Sequence, residues 1–166
     1  MPKPKNIEKS NYFFTDDIRF FQKAIIVHPN ENKFLMVKRS NIDKIRPGTW
    51  DLPGGNISFG ELHRDALKRE ILEETSLKVR NIREVKVITH FDKNQKIYFI
   101  IIGSICRAST EIIKLSSEHS AFKWMTKDEF LGLDPNYQYK EERILDTNSA
   151  DFLRDIVYSA FNFKSN

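Results

Sequence analysis

The chain has 166 residues, 40% of them hydrophobic and 12% aromatic, and its 27 basic and 23 acidic side chains give a formal net charge of +4 at pH 7. These values are typical of a single globular domain and exclude a disordered or low-complexity chain. No apolar run approaches the roughly 18 residues of a membrane span, and the basic start lacks the apolar region of a secretory signal, so we expect no membrane partner. The single cysteine, Cys106, excludes an internal disulfide and favours a cytoplasmic protein.

The charge is distributed unevenly along the chain. Residues 1–50 contain ten Lys or Arg and five Asp or Glu, whereas residues 61–75 contain three basic and five acidic side chains. A basic region beside an acidic segment is expected where phosphates and cations share a cleft. The mild net charge permits a phosphorylated partner, and because the chain has no basic tract we expect no nucleic acid.

The first third of the chain alternates between strand-like and turn-like segments. Residues 1–17 are polar and predict a flexible N-terminal lead-in to a single domain over residues 18–166. Residues 21–27 and 33–39 are rich in strand-forming side chains on either side of a turn, which predicts a β-hairpin. Residues 40–49 predict a polar loop.

The next segment contains the clearest helix signal. Residues 50–52 predict a short strand that ends at the glycine turn, Pro53-Gly54-Gly55. Residues 60–75 have helical periodicity, and Ser58 and Glu61 have the spacing of a capping box. We therefore expect the glycine turn to lead directly into a helix.

The second half of the chain predicts three more strands and two more helices. Residues 79–89 and 96–107 indicate a second hairpin, and the latter segment is apolar on both faces, as a central strand would be. Residues 121–125 predict a short strand, and a capping box of Thr126 and Glu129 begins a short helix after it. Apolar residues at helical spacing predict an amphipathic C-terminal helix. Together these elements predict an α/β fold with a mixed β-sheet.

Three carboxylates lie on one stripe of the predicted helix. At 100° per residue, Glu73 and Glu74 lie about 60° and 40° to either side of Glu70. The apolar side chains of the earlier turns have the same mean direction; they are Leu62, Ala66, Leu67 and Ile71. The opposite face is predicted to be solvated and carries Glu61, Arg64, Asp65, Lys68 and Thr75, with Leu72 as an exception. The inward stripe therefore begins apolar and becomes acidic.

The acidic stripe needs a compensating cation, because inward-facing carboxylates repel one another and lose hydration. Three hard oxygen ligands suit Mg²⁺ or Mn²⁺, which keep waters and bridge to phosphates. The glycine turn lets the backbone approach a ligand closely, so its carbonyls are candidate additional ligands. We therefore predict a divalent-metal site, with an internal salt-bridge cluster around Arg69 as the alternative.

The glycine turn and the acidic helix together resemble the Nudix box. The match covers 23 positions, and its fixed residues are Gly55-x5-Glu61-x7-Arg69-Glu70-Ile71-x-Glu73-Glu74-x-Ser76-Leu77. One position departs, because the family usually has glycine where this chain has Ser76. That glycine ends the helix with positive φ, which costs another residue roughly 1 kcal/mol. We expect a locally altered exit turn and intact chemistry.

The resemblance implies an α/β/α sandwich with a mixed β-sheet and a Mg²⁺-dependent pyrophosphohydrolase, with Mn²⁺ as the alternative ion, that cleaves a nucleoside di- or triphosphate derivative. The implied metal ligands are Glu70, Glu73, Glu74 and the carbonyl of Gly54. Gly55 and Glu61 would support the site structurally, since Glu61 braces Arg69 while Arg69 orients the carboxylates. The base that accepts the proton of the attacking water is either Glu70 or Glu118.

Residues outside the box carry weaker signals. Arg39 and Arg46 flank the loop opposite the helix, and either guanidinium can bind a substrate phosphate in a bidentate manner. His63 and His119 are expected at the surface, and Cys106 is expected in the core. The aromatic side chains that can stack on a base are Phe20, Phe21, Trp124 and Tyr137.

Two alternative functions are compatible with the sequence. One is a catalytically silent nucleotide-binding or sensor domain, which is disfavoured because all the acidic positions of the box are retained. The other is a hydrolase of ADP-ribose or a dinucleotide-type substrate in place of a nucleoside triphosphate. No motif in residues 40–49 or 126–145 indicates the base, the sugar or the leaving group, and we expect a monomer or a homodimer.

Overall fold

The computed structural model describes residues 17–44, 46–92, 94–132 and 150–162. These residues form six strands and three helices, which in chain order are β1 (Asp17–Val27), β2 (Phe34–Arg39), β3 (Trp50–Asp51), α1 (His63–Thr75), β4 (Val79–Asp92), β5 (Ile97–Ala108), β6 (His119–Met125), α2 (Lys127–Leu131) and α3 (Ala150–Asn162). The predicted lead-in lies outside the described residues, except for Asp17, which already belongs to β1. None of the helices in these ranges has the length and apolarity that a membrane crossing requires.

The strands form one mixed sheet in the order β3-β2-β1-β5-β4, and β6 pairs with β2. β1 and β5 are parallel, whereas β4 and β5 form the predicted antiparallel hairpin. Because β5 pairs with a neighbour on each side, the prediction of a central strand is confirmed. The predicted strands agree with the observed ones to within a few residues.

Helices cover both faces of the sheet. Along β1, Ala24 and Ile26 pack with Leu67 and Ile71 of α1, whereas Ile25 between them packs on the other face in a cluster with α2 and α3. The expected α/β/α sandwich is therefore confirmed, and it follows from alternating side chains that are apolar on both faces of the strand.

The predicted hairpin of β1 and β2 is paired only at its closed end, where Val27 faces Phe34. Further along, the edge of β1 bonds to the glycine turn and the residues after it: the amides of Gln22 and Ala24 donate to the carbonyls of Gly55 and Pro53 at 2.9 and 2.8 Å. β1 and β2 thus separate, and the glycine turn takes the place of a neighbouring strand along β1.

Helix α1 begins at His63, which is three residues later than expected, and the predicted capping box is wrong. Leu62 is the N-cap and makes no side-chain cap bond. Glu61 accepts a bond from the amide of Ser58 at 3.3 Å, but this contact lies before the helix. The second box is confirmed, because Thr126 and Glu129 exchange both of its hydrogen bonds at the start of α2.

The buried face of α1 is rotated from the predicted stripe. Leu62 is exposed because it precedes the helix, whereas Thr75, predicted to be solvated, is fully buried and donates to the carbonyl of Ile71 at 2.6 Å. The buried residues of the helix are Ala66, Leu67, Ile71, Glu74 and Thr75. Their mean direction lies about 60° from Glu70 and therefore about 120° from Glu73. This rotation buries Glu74 and turns Glu73 outward.

The end of α1 does not show the altered exit turn that we expected. Ser76 itself adopts the left-handed conformation, with φ 60° and ψ 13°, and its amide donates to the carbonyl of Leu72. Its hydroxyl donates to the carbonyl of Lys114 at 3.1 Å. The turn is therefore of the kind that glycine usually provides, and Ser76 retains the backbone strain.

Candidate active site

The glycine turn lies between β1 and α1 at distances that no side chain would permit. A Cβ atom at Gly54, where φ is 138°, would lie 2.2 Å from the carbonyl oxygen of Gln22. A Cβ atom at Gly55 would lie 2.4 Å from the carboxyl carbon of Glu70. The two glycines therefore bring the backbone of the turn directly against the acidic helix.

Glu74 is the most buried carboxylate of the box. Its Oε2 accepts a hydrogen bond from the amide of Gly54 at 3.0 Å. Burial raises the pKa of Glu74 to about 8, although Lys23 and the Gly54 amide act in the opposite direction. The side chain of Glu74 is 9% exposed, that of Glu70 is 18% exposed and that of Glu73 is 60% exposed. The carboxylates thus range from buried to solvated.

Arg69 connects the remaining acidic residues of the box. Its Nε and Nη2 atoms donate to both oxygens of Glu61 at 2.9 and 3.0 Å. Its Nη1 atom donates to Glu70 at 2.9 Å and to Glu73 at 3.3 Å. The hydrogen bonds that Arg69 donates to Glu61 and Glu70 raise the pKa of Arg69, which remains charged. The salt-bridge cluster considered above is therefore present, but three carboxylates share one guanidinium and Glu74 lies outside it.

The described residues contain no set of three His, Cys, Asp or Glu side chains already arranged around a common metal position. The prediction that three carboxylates converge inward is therefore wrong in detail, since Glu70 and Glu74 lie beside the glycine turn and Glu73 points outward. The carbonyls of Pro53 and Gly55 accept hydrogen bonds from the amides of Ala24 and Gln22 in β1. Neither amide donates to the carbonyl of Gly54. The oxygen atoms expected to bind a hard cation are thus close together, but they do not surround a common metal position.

A second charged group, around Asp51, was not predicted from the sequence. Lys23 donates to Asp51 Oδ2 at 2.7 Å, and Arg46 and Arg39 approach the same atom at 3.4 and 3.7 Å. Burial raises the pKa of Asp51, but the three cations outweigh it and hold the pKa below its ordinary value. The sequence did contain one signal for this group. Lys23 lies in the middle of an apolar strand, where a charged side chain needs a buried partner of opposite charge.

His119 is buried, so the expectation of a surface position is wrong. Its Nε2 atom lies 3.9 Å from Glu74 Oε1, and its Nδ1 atom has no hydrogen-bond partner among the described residues. Burial, together with Arg39 and Lys23, lowers the pKa of His119 to about 4. The imidazole is therefore neutral at pH 7. The pairing of His119 with Arg39 follows a bulge between β2 and β6 that the sequence did not indicate.

Glu118 lies at the rim of this region. Its carbonyl accepts from the amide of Ser40 at 2.8 Å, and the preceding loop is tied to α1 by the Ser116 amide, which donates to the carbonyl of Glu74 at 3.0 Å. The side chain is exposed. The main chain of this loop is thus bonded to both the residue after β2 and the end of α1, whereas the side chain of Glu118 is exposed.

The other residues considered from the sequence have ordinary surroundings. His63 lies at the start of α1 and contacts Glu84 of β4 at 2.8 Å. Cys106 is in the core as predicted, where burial raises the pKa of its thiol to about 12. Phe21 packs edge-on against Phe99, whereas Phe20 is exposed. Trp124 packs against His28, and Tyr137 lies outside the described residues.

Comparison with known proteins identifies the domain. A model of the NUDIX domain matches residues 22–147, which is most of the chain and includes the glycine turn and the acidic helix. The chain belongs to the NUDIX hydrolase family. A MutT-like protein of Streptomyces ambofaciens is 31% identical over 106 residues, which are 64% of this chain and 63% of that protein. The chain thus spans slightly less than two thirds of that relative.

Two further similar proteins cover the domain more completely. Nucleoside triphosphatase NudI of Enterobacter sp. (strain 638) is 29% identical over 126 residues, which are 69% of this chain and 89% of that protein. The crystal structure of a MutT protein from Methanosarcina mazei Go1 superposes with a TM-score of 0.65 at 22% identity, covering 89% of this chain and 97% of that one. The predicted fold and the predicted class of enzyme, a hydrolase of phosphorus-containing anhydrides, are confirmed at the level of the NUDIX family.

Proposed function

We propose that this NUDIX hydrolase is a divalent-metal-dependent pyrophosphohydrolase of a nucleoside di- or triphosphate derivative. The proposal depends on one observation: Glu70 and Glu74 both lie against the glycine turn, one touching Gly55 and the other bonded to the amide of Gly54. The likeness to the nucleoside triphosphatase NudI supports a nucleoside triphosphate as the substrate class.

The residues present fit Mg²⁺ as the resident ion, with Mn²⁺ as the alternative. The proposed ligands Glu70, Glu73, Glu74 and the Gly54 carbonyl offer only oxygen atoms, which both ions prefer. The fit also explains why position 55 carries no side chain, since a Cβ there would displace the Glu70 carboxylate. When bound, such an ion neutralises the charge of phosphate oxygens and lowers the pKa of a coordinated water.

The chain's own residues orient the reactants. Arg69 would hold Glu70 and Glu73 against their mutual repulsion, and Glu61 would fix Arg69 from the other side. Arg39 and Arg46 would bind a substrate phosphate, since both guanidiniums are partly exposed. Water would attack phosphorus while the bond to the bridging oxygen breaks and the leaving phosphate takes the electron pair.

Two carboxylates are candidates for accepting the proton of the attacking water. We favour Glu70, because its carboxylate lies against the glycine turn within the site. Glu118 is exposed at the rim and stays the alternative. Glu118→Gln separates them: a large loss of kcat would identify Glu118 as the base, whereas an unchanged kcat would leave Glu70. Glu70→Gln lowers kcat in either case, because Glu70 is also a proposed metal ligand.

The direct test is a hydrolysis assay on the purified protein with Mg²⁺ and a panel of nucleoside triphosphates, ADP-ribose and dinucleotides. We expect release of phosphate, pyrophosphate or a nucleoside monophosphate. Glu73→Gln should abolish turnover and leave the fold intact, since Glu73 is mostly exposed. Asp65→Asn, on the outer face of the same helix, is the control. Wild-type turnover by Glu73→Gln would contradict the metal assignment.

The same panel tests the alternative functions. Tight nucleotide binding by calorimetry, with no product over hours, would indicate a silent sensor domain. Cleavage of ADP-ribose in preference to any triphosphate would indicate the other substrate class. We further infer a cytoplasmic protein, supported by its single buried cysteine, Cys106, and a monomer or homodimer.

A further inference from the structure

Asp51 lies at the centre of a group of cations outside the Nudix box. Its Oδ2 atom accepts from Lys23 Nζ at 2.7 Å, and Arg46 Nη2 and Arg39 Nη1 approach the same oxygen at 3.4 and 3.7 Å. Its Oδ1 atom accepts from the amide of Leu52 at 2.8 Å. Three cations therefore surround a single carboxylate oxygen, and Arg39 is also hydrogen-bonded to Asp43.

This group carries more positive than negative charge. Its three cations face two carboxylates, Asp51 and Asp43, the latter bonded to Arg39, so the net charge is +1. The side chains of Lys23 and Asp51 are 5% and 1% exposed, whereas those of Arg39 and Arg46 are each 21% exposed. The buried pair is neutral, and the surplus charge is on the accessible arginines.

The two arginines are held together in spite of their repulsion. Both approach the same oxygen of Asp51, and Thr49 is hydrogen-bonded to the main chain of both. The amide of Arg39 donates to the carbonyl of Thr49 at 2.8 Å, and the Thr49 hydroxyl donates to the carbonyl of Arg46 at 3.0 Å. Two preorganised guanidiniums offer the forked donors that a phosphate accepts.

The same segment connects this group to the acidic helix. Lys23 also donates to the carbonyl of Leu52 at 3.0 Å. Two residues later, the amide of Gly54 donates to Glu74. The arginine pair and the proposed metal ligands are therefore connected through residues 51–54.

We infer that Lys23 and Asp51 are positioning residues that hold Arg39 and Arg46 together as one binding site for the terminal phosphate of the substrate. This inference rests on the proposed function. Asp51 orients the guanidinium of Arg46 and, together with Asp43, that of Arg39. Lys23 offsets the charge of Asp51, so the group keeps its net positive charge for the substrate. Neither positioning residue touches the substrate. A terminal phosphate carries more negative charge than an internal one, and ADP-ribose has no terminal phosphate. This binding site therefore favours a nucleoside triphosphate over ADP-ribose.

The test measures binding of inorganic triphosphate by titration calorimetry in EDTA, which removes any metal at the acidic helix. Asp51→Asn should weaken binding about tenfold, because the arginines lose their shared acceptor. The same change raises the net charge of the group from +1 to +2, so simple attraction predicts tighter binding. Tighter or unchanged binding by Asp51→Asn overturns the inference. Asp65→Asn, an equal charge change on the exposed face of α1, should bind within twofold of the wild type.

A double variant separates position from charge. Lys23→Met with Asp51→Asn restores the net charge of +1 without the buried pair. We expect its binding to stay about tenfold weaker than that of the wild type, and recovery to the wild-type affinity overturns the inference. The matched control removes the exposed Lys68–Asp65 pair by Lys68→Met with Asp65→Asn, and its binding should not change.

Replacements of Arg46 keep the test decisive if the buried variants do not fold. Arg46 is partly exposed, so its replacement leaves the core intact. Arg46→Lys keeps the charge but not the fork, and it should weaken binding nearly as much as Arg46→Gln. Wild-type binding by Arg46→Lys overturns the inference.

Hydrolysis assays distinguish this inference from the proposed function. In the variants of Asp51 and Arg46, KM for a triphosphate should rise about tenfold while kcat changes less than threefold. A wild type that binds triphosphate but hydrolyses no nucleotide contradicts the proposed function alone. A wild type that hydrolyses nucleotides with a KM that these variants leave unchanged contradicts the inference alone.

Discussion

Arg69 holds both carboxylate oxygens of Glu61 in a single fork, with donor–acceptor distances of 2.9 and 3.0 Å. The remaining nitrogen of the guanidinium then points to Glu70, so the orientation of one proposed metal ligand depends on a residue eight positions before the arginine. A lysine at position 69 would keep the charge but could not make these contacts together.

We therefore expect Arg69→Lys to lower kcat by about tenfold to a hundredfold, the usual cost of losing a group that orients metal ligands. The free energy of unfolding should fall by less than about 1 kcal/mol, because the pairs are partly solvated. Steady-state kinetics and urea unfolding measure the two effects. Arg64→Lys is a matched control, since Arg64 makes a similar fork with Glu84 at 2.8 Å but lies outside the site. An equal loss of kcat in both variants would contradict the role of Arg69.

Gly55→Ala should reduce activity by placing a methyl group where the Glu70 carboxylate lies. The methyl carbon would be 2.4 Å from the carboxyl carbon, so one of the two must move. We expect kcat to fall at least tenfold and the unfolding free energy to fall by about 1–3 kcal/mol, as for other overpacked sites. The φ angle of Gly55 is not positive, so this effect arises from contact and not from backbone strain. Gly132→Ala, at the end of α2, should leave kcat unchanged.

Ser76→Gly should stabilise the protein. Ser76 has φ 60°, and relieving that conformation is worth about 1 kcal/mol, partly offset by the lost bond from its hydroxyl to Lys114. Thermal unfolding should show a higher Tm for Ser76→Gly and a lower Tm for Ser76→Ala, which keeps the strain and loses the bond. A lower Tm for the glycine variant would show that the hydroxyl contact outweighs the strain.

Glu84 should make stability depend on pH in the acid range. Hydrogen bonds from Arg64, joined by His63 and opposed by burial, lower the pKa of Glu84 from 4.5 to about 2. A lowered pKa in the folded state adds stability above the unfolded pKa, and this stability is lost as the pH falls from about 4.5 to 2. Because the carboxylate is partly screened by solvent, we expect about 1 kcal/mol. Glu84→Gln should therefore be less stable than the wild type at pH 7 in urea and equal to it near pH 2, whereas Asp65→Asn should show no such convergence.

Local patterns were sufficient to predict most of the fold. The strands and helices follow from side-chain periodicity, and the spacing of Gly55, Glu61, Arg69 and the carboxylates of α1 identified the box. The orientation of Glu73 could not be predicted in the same way, because it depends on where the helix begins. Once α1 starts after Leu62 and buries Thr75, the inward direction rotates and Glu73 turns to solvent.

The group around Asp51 was hidden from the sequence for a different reason. Lys23 and Asp51 are 28 positions apart, and they meet only because β1 and β3 lie on either side of a split in the sheet. The burial of His119 was missed as well. Its burial depends on pairing with Arg39 across β2 and β6, which no local pattern reports.

The separation of β1 from β2 has a consequence for how this site tolerates change. The glycine turn is aligned with β1 by main-chain bonds, from the amides of Gln22 and Ala24, so its position does not depend on which side chains follow it. Residues 40–44, which follow β2, can then change without moving the acidic helix. Substrate preference and the hydrolytic centre can therefore diversify independently.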